Sequence, residues 1–433
     1  MDGFTVGIIG IIVLIILLFS KMPIGAAMVL IGFLGFGYVV NGAGALGLLL
    51  TAPYTTFADQ AMSVIPLFVL MGTLCFAAGM SEDLYYAVNT WIGHYRGGMA
   101  MATIGACALF AAVSGSSLAT VATLGKVAWP EMQRYKYDEG LSAGAIAAGG
   151  GLGILIPPST ILIIYGIITE QSIGRLFMAG FVPGIMEVMF YIIVIIVLTR
   201  FRPELGPPGP RTPIKDRIAP LKRCWEVVAI FFLVIGGIYS GYFTPTEAAG
   251  VGATAALIFT AMRRKLTLSV YCEASKETVR TVGMLFIIMM GAKVFGYFLT
   301  VTRLPFELSE FVYSLEINRY TTLTVIVVVL LFLGCVLDSM AIVLLTVPVL
   351  FPLISKLGFD PIWFGIIIVR CTEIGLITPP VGLNVFIIQG ITNTEMGKVF
   401  KGVIPFLCAD IIHIIVLTIF PGLVLFLPDL MKM

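Results

Sequence analysis

The sequence predicts an all-α, polytopic membrane protein made of two inverted repeats. Each repeat carries a re-entrant helical hairpin and a broken helix. Three observations lead there. First, 59% of the 433 residues are hydrophobic and only 12% are charged, with a mean hydropathy of +1.05. Soluble domains carry roughly 25% charged residues, so this chain lacks the polar side chains to cover a water-facing surface, and its apolar runs reach spanning length. Second, the chain matches itself at an offset of 222 positions. Third, two apolar segments, 149–158 and 371–380, are each interrupted by glycine followed by a Pro-Pro pair.

Composition also removes whole classes of function. The net charge of +2 gives no electrostatic footprint for nucleic acid. The cysteines (Cys75, Cys107, Cys224, Cys272, Cys335, Cys371 and Cys408) are scattered, with no CxxC pair. With only His94 and His413 besides, no Cys/His metal spacing exists. The cysteines read as small apolar packing residues. The first apolar run, 4–20, has no basic flank before it and no small-residue cleavage site after it, so it reads as a retained span rather than a signal peptide.

The repeat is ungapped. Between 110–158 and 332–380, eleven of 49 positions are identical: Phe110, Ser117, Ala119, Val121, Val127, Pro130, Asp138, Ile146, Gly153, Pro157 and Pro158. Apolar bias alone yields roughly four or five. Matches at Asp138/Asp360, Pro130/Pro352 and the Gly/Pro-Pro cluster are hard to obtain by bias. The same offset pairs Pro23 with Pro245, Ala26-Ala27 with Ala248-Ala249, Gly180 with Gly402 and Pro183 with Pro405. The repeat therefore covers nearly the whole chain, as halves 1–199 and 224–433.

Residues 200–223 join the halves. They hold seven Lys/Arg against two acids and are rich in proline. This polar linker is placed in the cytoplasm by its positive charge. From there 224–243 goes out, 245–262 returns to land Arg263-Arg264-Lys265 inside, and 278–301 goes out again. Lys21, Arg96, Arg134 and Lys136 also fall inside if the N-terminus is outside and each half makes an odd number of crossings. The halves are then inverted, as in many secondary transporters.

Two segments, about 99–134 and 321–355, are too long for one crossing and are interrupted midway, at Ser114-Gly115-Ser116-Ser117 and at Asp338-Ser339. The ~17 residues on each side reach deep into the core but are marginal for spanning. They read as re-entrant hairpins with tips near the midplane. Two ordinary helix pairs with surface loops are the competing reading. Against it, the residues flanking each tip are apolar, without interfacial charge or aromatic anchor.

The broken helices run over about 139–168 and 360–391. Pro157, Pro158, Pro379 and Pro380 each remove a backbone donor, and an unpaired backbone group in lipid costs several kcal/mol. Such breaks are tolerated only inside protein or at a watery cavity. A matched pair of them points to a transporter's binding site; two proline kinks that only shape packing are the competing reading. Half-helix N-termini suit a carboxylate or sulfonate. Half-helix C-termini and unwound carbonyls suit a hard cation such as sodium. The residues at these points are Ser114, Gly115, Ser116, Ser117 and Thr120 on tip one, and Asp338 and Ser339, after Val336, on tip two. The breaks contribute Gly149, Gly151, Gly153, Thr160, Glu373, Gly375, Thr378 and Asn384.

Intramembrane charges are costly and usually functional. Asp338 matches Ser116 in the repeat and reads as an ion or substrate ligand, or as a helix N-cap. The two roles are compatible. Arg370 and Glu373 are one helical turn apart. They either neutralise each other or leave Arg370 to hold an anionic substrate. Lys126 and Lys293 lie in apolar runs and can snorkel. Glu247, at a helix start, is expected there on structural grounds.

Several longer stretches carry a family resemblance. The run from Gly236 to Ala249 (GGIYSGYFTPTEAA) resembles a signature of the large membrane subunit of tripartite ATP-independent periplasmic (TRAP) transporters. So do Gly115-Ser116-Ser117 with Ala119-Thr120, Ile156-Pro157-Pro158-Ser159, and the run from Glu373 to Asn384 (EIGLITPPVGLN). The resemblance spans essentially the full length. It implies a sodium-driven importer of a small organic anion in the bacterial inner membrane, with the N-terminus periplasmic. It also implies an elevator mechanism, in which hairpins and broken helices slide as a block against a scaffold. A periplasmic substrate-binding protein delivers the substrate, and a small four-helix membrane subunit, expected here as a separate polypeptide, packs alongside. At least two sodium sites are implied, where each tip meets its break: Ser114, Gly115, Ser116 and Ser117 with Gly149, Gly151 and Gly153, and Val336, Asp338 and Ser339 with Glu373, Gly375 and Thr378. Substrate contacts are expected from Ser116, Ser117, Thr120, Thr160, Asp338, Arg370 and Asn384.

Other classes fare worse. An intramembrane enzyme would need a nucleophile–base or metal constellation. There is no HExxH and no histidine near Ser116-Ser117. A passive channel does not call for paired midplane breaks, which fit alternating access. A stand-alone carrier needing no binding protein shares nearly all these physical features. The residues leave the organic anion open among C4-dicarboxylates, other carboxylates, sialic acids and sulfonates.

Overall fold

A computed structural model describes residues 2–431. Among them are 21 α-helices and no strand. The first half contains α1 (Gly3–Phe19), α2 (Ile24–Val39), α3 (Gly42–Phe57), α4 (Val64–Ala77), α5 (Met80–Ile92), α6 (Gly98–Ser114), α7 (Ser117–Arg134), α8 (Glu139–Leu155), α9 (Thr160–Thr169) and α10 (Ile173–Phe201). Helix α11 (Ile214–Arg223) lies in the linker. The second half contains α12 (Trp225–Tyr239), α13 (Pro245–Met262), α14 (Leu268–Val301), α15 (Leu304–Ser314), α16 (Arg319–Gly334), α17 (Ser339–Lys356), α18 (Pro361–Ile377), α19 (Leu383–Thr392), α20 (Met396–Ile419) and α21 (Gly422–Leu430). Six helical segments are long and apolar enough to cross a bilayer, among them α10, α14, α17 and α20.

Helix ends are set by local chemistry. Asp138 and Asp360 cap α8 and α18 by accepting backbone N–H groups of Leu141 (2.9 Å) and of Ile362 and Trp363 (2.8 and 3.0 Å). An N-cap of this kind contributes about 1 kcal/mol. Thr244 and Glu247 close a reciprocal capping box on α13, with Pro245 at its first turn, so Glu247 is held by its own helix start. Adding 222 to the bounds of α7, 117–134, gives 339–356, the bounds of α17; adding it to α8, 139–155, gives 361–377, those of α18.

Helices α8 and α18 are buried along nearly their whole length. Helix α8 packs on α6, α7 and α20, and α18 packs on α16, α17 and α20. A Cβ on Gly402 of α20 would fall 1.9 Å from Gly140 O of α8, so these helices approach backbone to backbone. The halves also interlock: α9 packs on α17, and α19 packs on α7. Elsewhere α2 and α3 pack on α14, and α4 on α13.

Arg263, at the end of α13, ties together elements read only as topological markers. It donates to Asp83 Oδ2 (2.6 Å), Glu226 Oε2 (2.6 Å) and Arg223 O (2.7 Å). The linker is also tied to the first half. Its chain hydrogen-bonds back to the first half through Gly97 N to Gly206 O (2.8 Å), Asp138 N to Leu205 O (3.0 Å) and Gly209 N to Gly93 O (2.9 Å).

Candidate functional site

Tip one is the two-residue gap between α6 and α7. Gly115 ends α6 with φ +61°, a backbone that side-chain-bearing residues rarely adopt. Ser116 caps α7 by accepting Ala119 N (3.4 Å). Ser114 Oγ and Thr120 Oγ1 share a hydrogen bond of 3.1 Å, and Thr120 Oγ1 donates to Ser116 O at 2.8 Å.

Break one sits directly against this tip. Helix α8 ends at Leu155, the Pro157-Pro158 bond is cis, and Ser159 caps α9 through Leu162 N (3.3 Å). Thr160 Oγ1 donates to Gly115 O at 3.0 Å. A Cβ on Gly153 would lie 2.7 Å from Ser116 O, so only glycine lets α8 come this close. The C-terminal turn of α8 therefore meets the turn in which α6 ends and α7 begins. The C-termini of α6 and α8 each carry a partial negative charge of about half an elementary charge.

Tip two and break two repeat this meeting with different contacts. Helices α16 and α18 end at Gly334 and Ile377. A Cβ on Gly375 would lie 2.4 Å from both Gly334 Cα and C. Asp338 caps α17 by accepting Ala341 N (2.8 Å). Ser339 Oγ is buried without a hydrogen-bond partner, and Thr378 Oγ1 turns back to Ile374 O (2.5 Å). Val336 is half-buried beside them.

The two halves join at the helix N-termini. Asn384, in the first turn of α19, donates to Ser117 Oγ (2.9 Å) in the first turn of α7 and to Ala147 O (3.0 Å) on α8. Here two N-termini meet, and with them two partial positive charges. Gly151 on α8 faces Glu373 on α18: a Cβ there would sit 3.8 Å from Glu373 Cβ. Gly149 instead faces Cys107 and Ile104 of α6.

Arg370 lies in a separate, fully enclosed cluster. Its Nη1 is 2.6 Å from Glu187 Oε1 and also meets Glu373 Oε2; its Nη2 is 2.9 Å from Asp410 Oδ1. Tyr191 OH donates to the same Asp410 oxygen (2.8 Å). His413 is buried one turn along α20, edge-on to Phe190 with ring centroids 5.4 Å apart. Both terminal nitrogens of Arg370 are thus taken by carboxylates from α10, α18 and α20. Glu187, Tyr191 and Asp410 are not among the residues singled out in the sequence, where His413 figures only as a histidine without metal-ligand spacing. The available signal was an acid in mid-span of an apolar helix, the pattern that marks intramembrane function or pairing.

The long apolar helices and the charges buried among them define a multi-pass helical membrane protein. The chain matches the family model described as "Tripartite ATP-independent periplasmic transporter, DctM component" over residues 11–423. It is 36% identical over 406 residues to the C4-dicarboxylate TRAP transporter large permease protein DctM of Pseudomonas aeruginosa, covering 90% of this chain and 94% of that one. It is 32% identical to the sialic acid TRAP transporter large permease protein SiaM of Vibrio cholerae, covering 96% of each. It is 31% identical to the ectoine TRAP transporter large permease protein TeaC of Halomonas elongata, covering 96% and 97%. Among solved structures, the Alcanivorax borkumensis YdaH transporter superposes with a TM-score of 0.67 at 15% identity, covering 88% of this chain and 89% of that one. That likeness concerns the fold alone. The chain belongs to the DctM family of TRAP transporter large permeases, and is a transport subunit rather than an enzyme.

Proposed function

We propose that this chain imports a small organic anion, coupled to sodium, by an elevator motion of its hairpins and broken helices. The observation that carries the reading is the sorting of helix ends. The C-terminal turns of α16 and α18 meet at Gly375/Gly334, and that of α8 meets the Ser114–Ser117 turn at Gly153/Ser116, which offers backbone carbonyls to a cation. N-termini meet at Ser117/Asn384, which suits a carboxylate or sulfonate. Sodium is assigned to these two tip–break meetings, with Ser114–Ser117 carbonyls and hydroxyls at one and Val336, Asp338, Ser339 and Thr378 at the other. The anion is assigned to the N-terminal meeting, with Ser116, Ser117, Thr120, Thr160 and Asn384 around it. Relatives named for C4-dicarboxylates, sialic acid, ectoine and isethionate bound the substrate class without choosing within it. A small membrane subunit and a periplasmic binding protein complete the system in this reading, in the bacterial inner membrane.

The test is uptake of radiolabelled organic acids into proteoliposomes holding this chain and its small subunit. Uptake that requires the loaded binding protein supports the tripartite reading. Equal uptake of free substrate without it would support a stand-alone carrier instead.

Asp338 separates capping from ion binding. Asp338→Asn keeps an oxygen to accept Ala341 N, so stability should stay within about 0.5 kcal/mol of the parent, whereas Asp338→Ala should lose about 1 kcal/mol. If Asp338 also serves sodium, Asp338→Asn should raise the sodium concentration for half-maximal uptake at least about tenfold, since a charged ligand is lost (about 1.4 kcal/mol per tenfold). An unchanged sodium dependence in Asp338→Asn would leave only the cap.

A further inference from the structure

The linker helix α11 presents a feature that transport does not use. Ile214, Ile218 and Leu221 of α11 recur, with Trp225 at the start of α12, at intervals of four, three and four residues on one helical face; the Trp225 ring also meets Phe259 of α13 edge-on, with centroids 5.1 Å apart. They are exposed by 73%, 48%, 52% and 49%. Lys215 and Lys222 are exposed beside this stripe, two turns apart and on one flank. On the other flank, Arg217 is engaged by the protein: its Nε donates to Thr212 O (2.9 Å) and its guanidinium lies 5.8 Å from the Trp91 ring centroid. Helix α11 is thereby seated on α5, with its apolar stripe turned away.

We infer that α11 is an interfacial helix that docks on the bilayer surface and binds anionic phospholipid headgroups. An apolar face flanked by lysine is the pattern of a helix lying in the headgroup plane. The helix runs, with only Cys224 between, into the apolar helix α12, so the stripe ends where a membrane-embedded segment begins. Trp225 stands at that junction, the level at which tryptophan is enriched in membrane proteins. Seven Lys/Arg against two acids over 200–223 give the segment the charge that complements a phosphodiester and repels a zwitterion's choline. The stripe anchors the helix, and Lys215 and Lys222 select the headgroup. Through Leu205, Gly206 and Gly209 the same linker is hydrogen-bonded to Asp138, Gly97 and Gly93, beside the starts of α6 and α8.

Tryptophan quenching tests this on the full chain reconstituted with its small subunit. Vesicles would contain phosphatidylcholine and phosphatidylglycerol, with bromine near the carbonyl end of one or the other. The Trp225 signal is the difference between the parent and Trp225→Phe. Quenching of that signal, with brominated phosphatidylglycerol favoured roughly tenfold over brominated phosphatidylcholine, is expected for two lysines at the surface. Lys215→Gln with Lys222→Gln should bring the preference to about one, without loss of the quenching itself. An unquenched Trp225 would overturn the docking and assign the stripe to a protein partner. Quenching without headgroup preference in the parent would overturn the anionic-lipid assignment.

Discussion

Replacing Arg370 with methionine should destabilise the protein by about 3–5 kcal/mol, the cost of breaking a buried ion pair from one side. The reason is charge balance. One guanidinium faces Glu187, Glu373 and Asp410, and none of these side chains is more than 2% exposed. Removing the cation leaves three carboxylates with no countercharge among the described residues around them. The melting midpoint in detergent reads this directly. Arg370→Met combined with Glu187→Gln, Glu373→Gln and Asp410→Asn should recover most of the loss, because no unpaired charge is left behind. A single Arg370→Met variant as stable as the parent would contradict the cluster. The cluster also bears on transport. Glu373 is one turn from Arg370 and two residues before Gly375, so the ion pairs orient the helix segment that approaches tip two.

Gly375→Ala should be the most damaging of the small changes at the site. The added methyl would lie 2.4 Å from two backbone atoms of Gly334, and neither can rotate away. Helices α16 and α18 would have to separate, at roughly 1–3 kcal/mol of overpacking. Since the separation falls where two helix C-termini meet, transport should drop at least about tenfold. Gly153→Ala, 2.7 Å from Ser116 O, should follow the same course less severely. Gly151→Ala is the control, because its methyl would meet Glu373 Cβ at 3.8 Å, an ordinary contact. Uptake rates for the three variants, normalised to protein in the membrane, should rank in that order. A Gly375→Ala protein transporting at the parent rate would overturn the close approach.

Much of this was legible in the sequence because backbone chemistry leaves marks in it. Single prolines such as Pro130, Pro183 and Pro405 lie inside helices, but the paired prolines Pro157-Pro158 and Pro379-Pro380 announced their gaps. Ser116, Asp138, Asp338 and Asp360 are residue types that start helices, and all four do so here. What was not legible was which faces meet across the halves. The Asn384–Ser117 contact joins residues 267 positions apart, and no periodicity predicts it. Glu187 and Asp410 are lone acids in apolar helices, and only the packing of α10 and α20 on α18 reveals them as partners of Arg370. Helix α11 is a different case. Its charge and proline content read as a polar linker, although the spacing of Ile214, Ile218, Leu221 and Trp225 already carried the helical period.

The most direct test of the proposed coupling is the initial rate of uptake against external sodium, in proteoliposomes with the small subunit and the loaded binding protein. Two cation sites, one at each tip–break meeting, predict a sigmoidal dependence with a Hill coefficient above one and no uptake when choline replaces sodium. Uptake that proceeds equally in choline would contradict the assignment of cations to these helix ends.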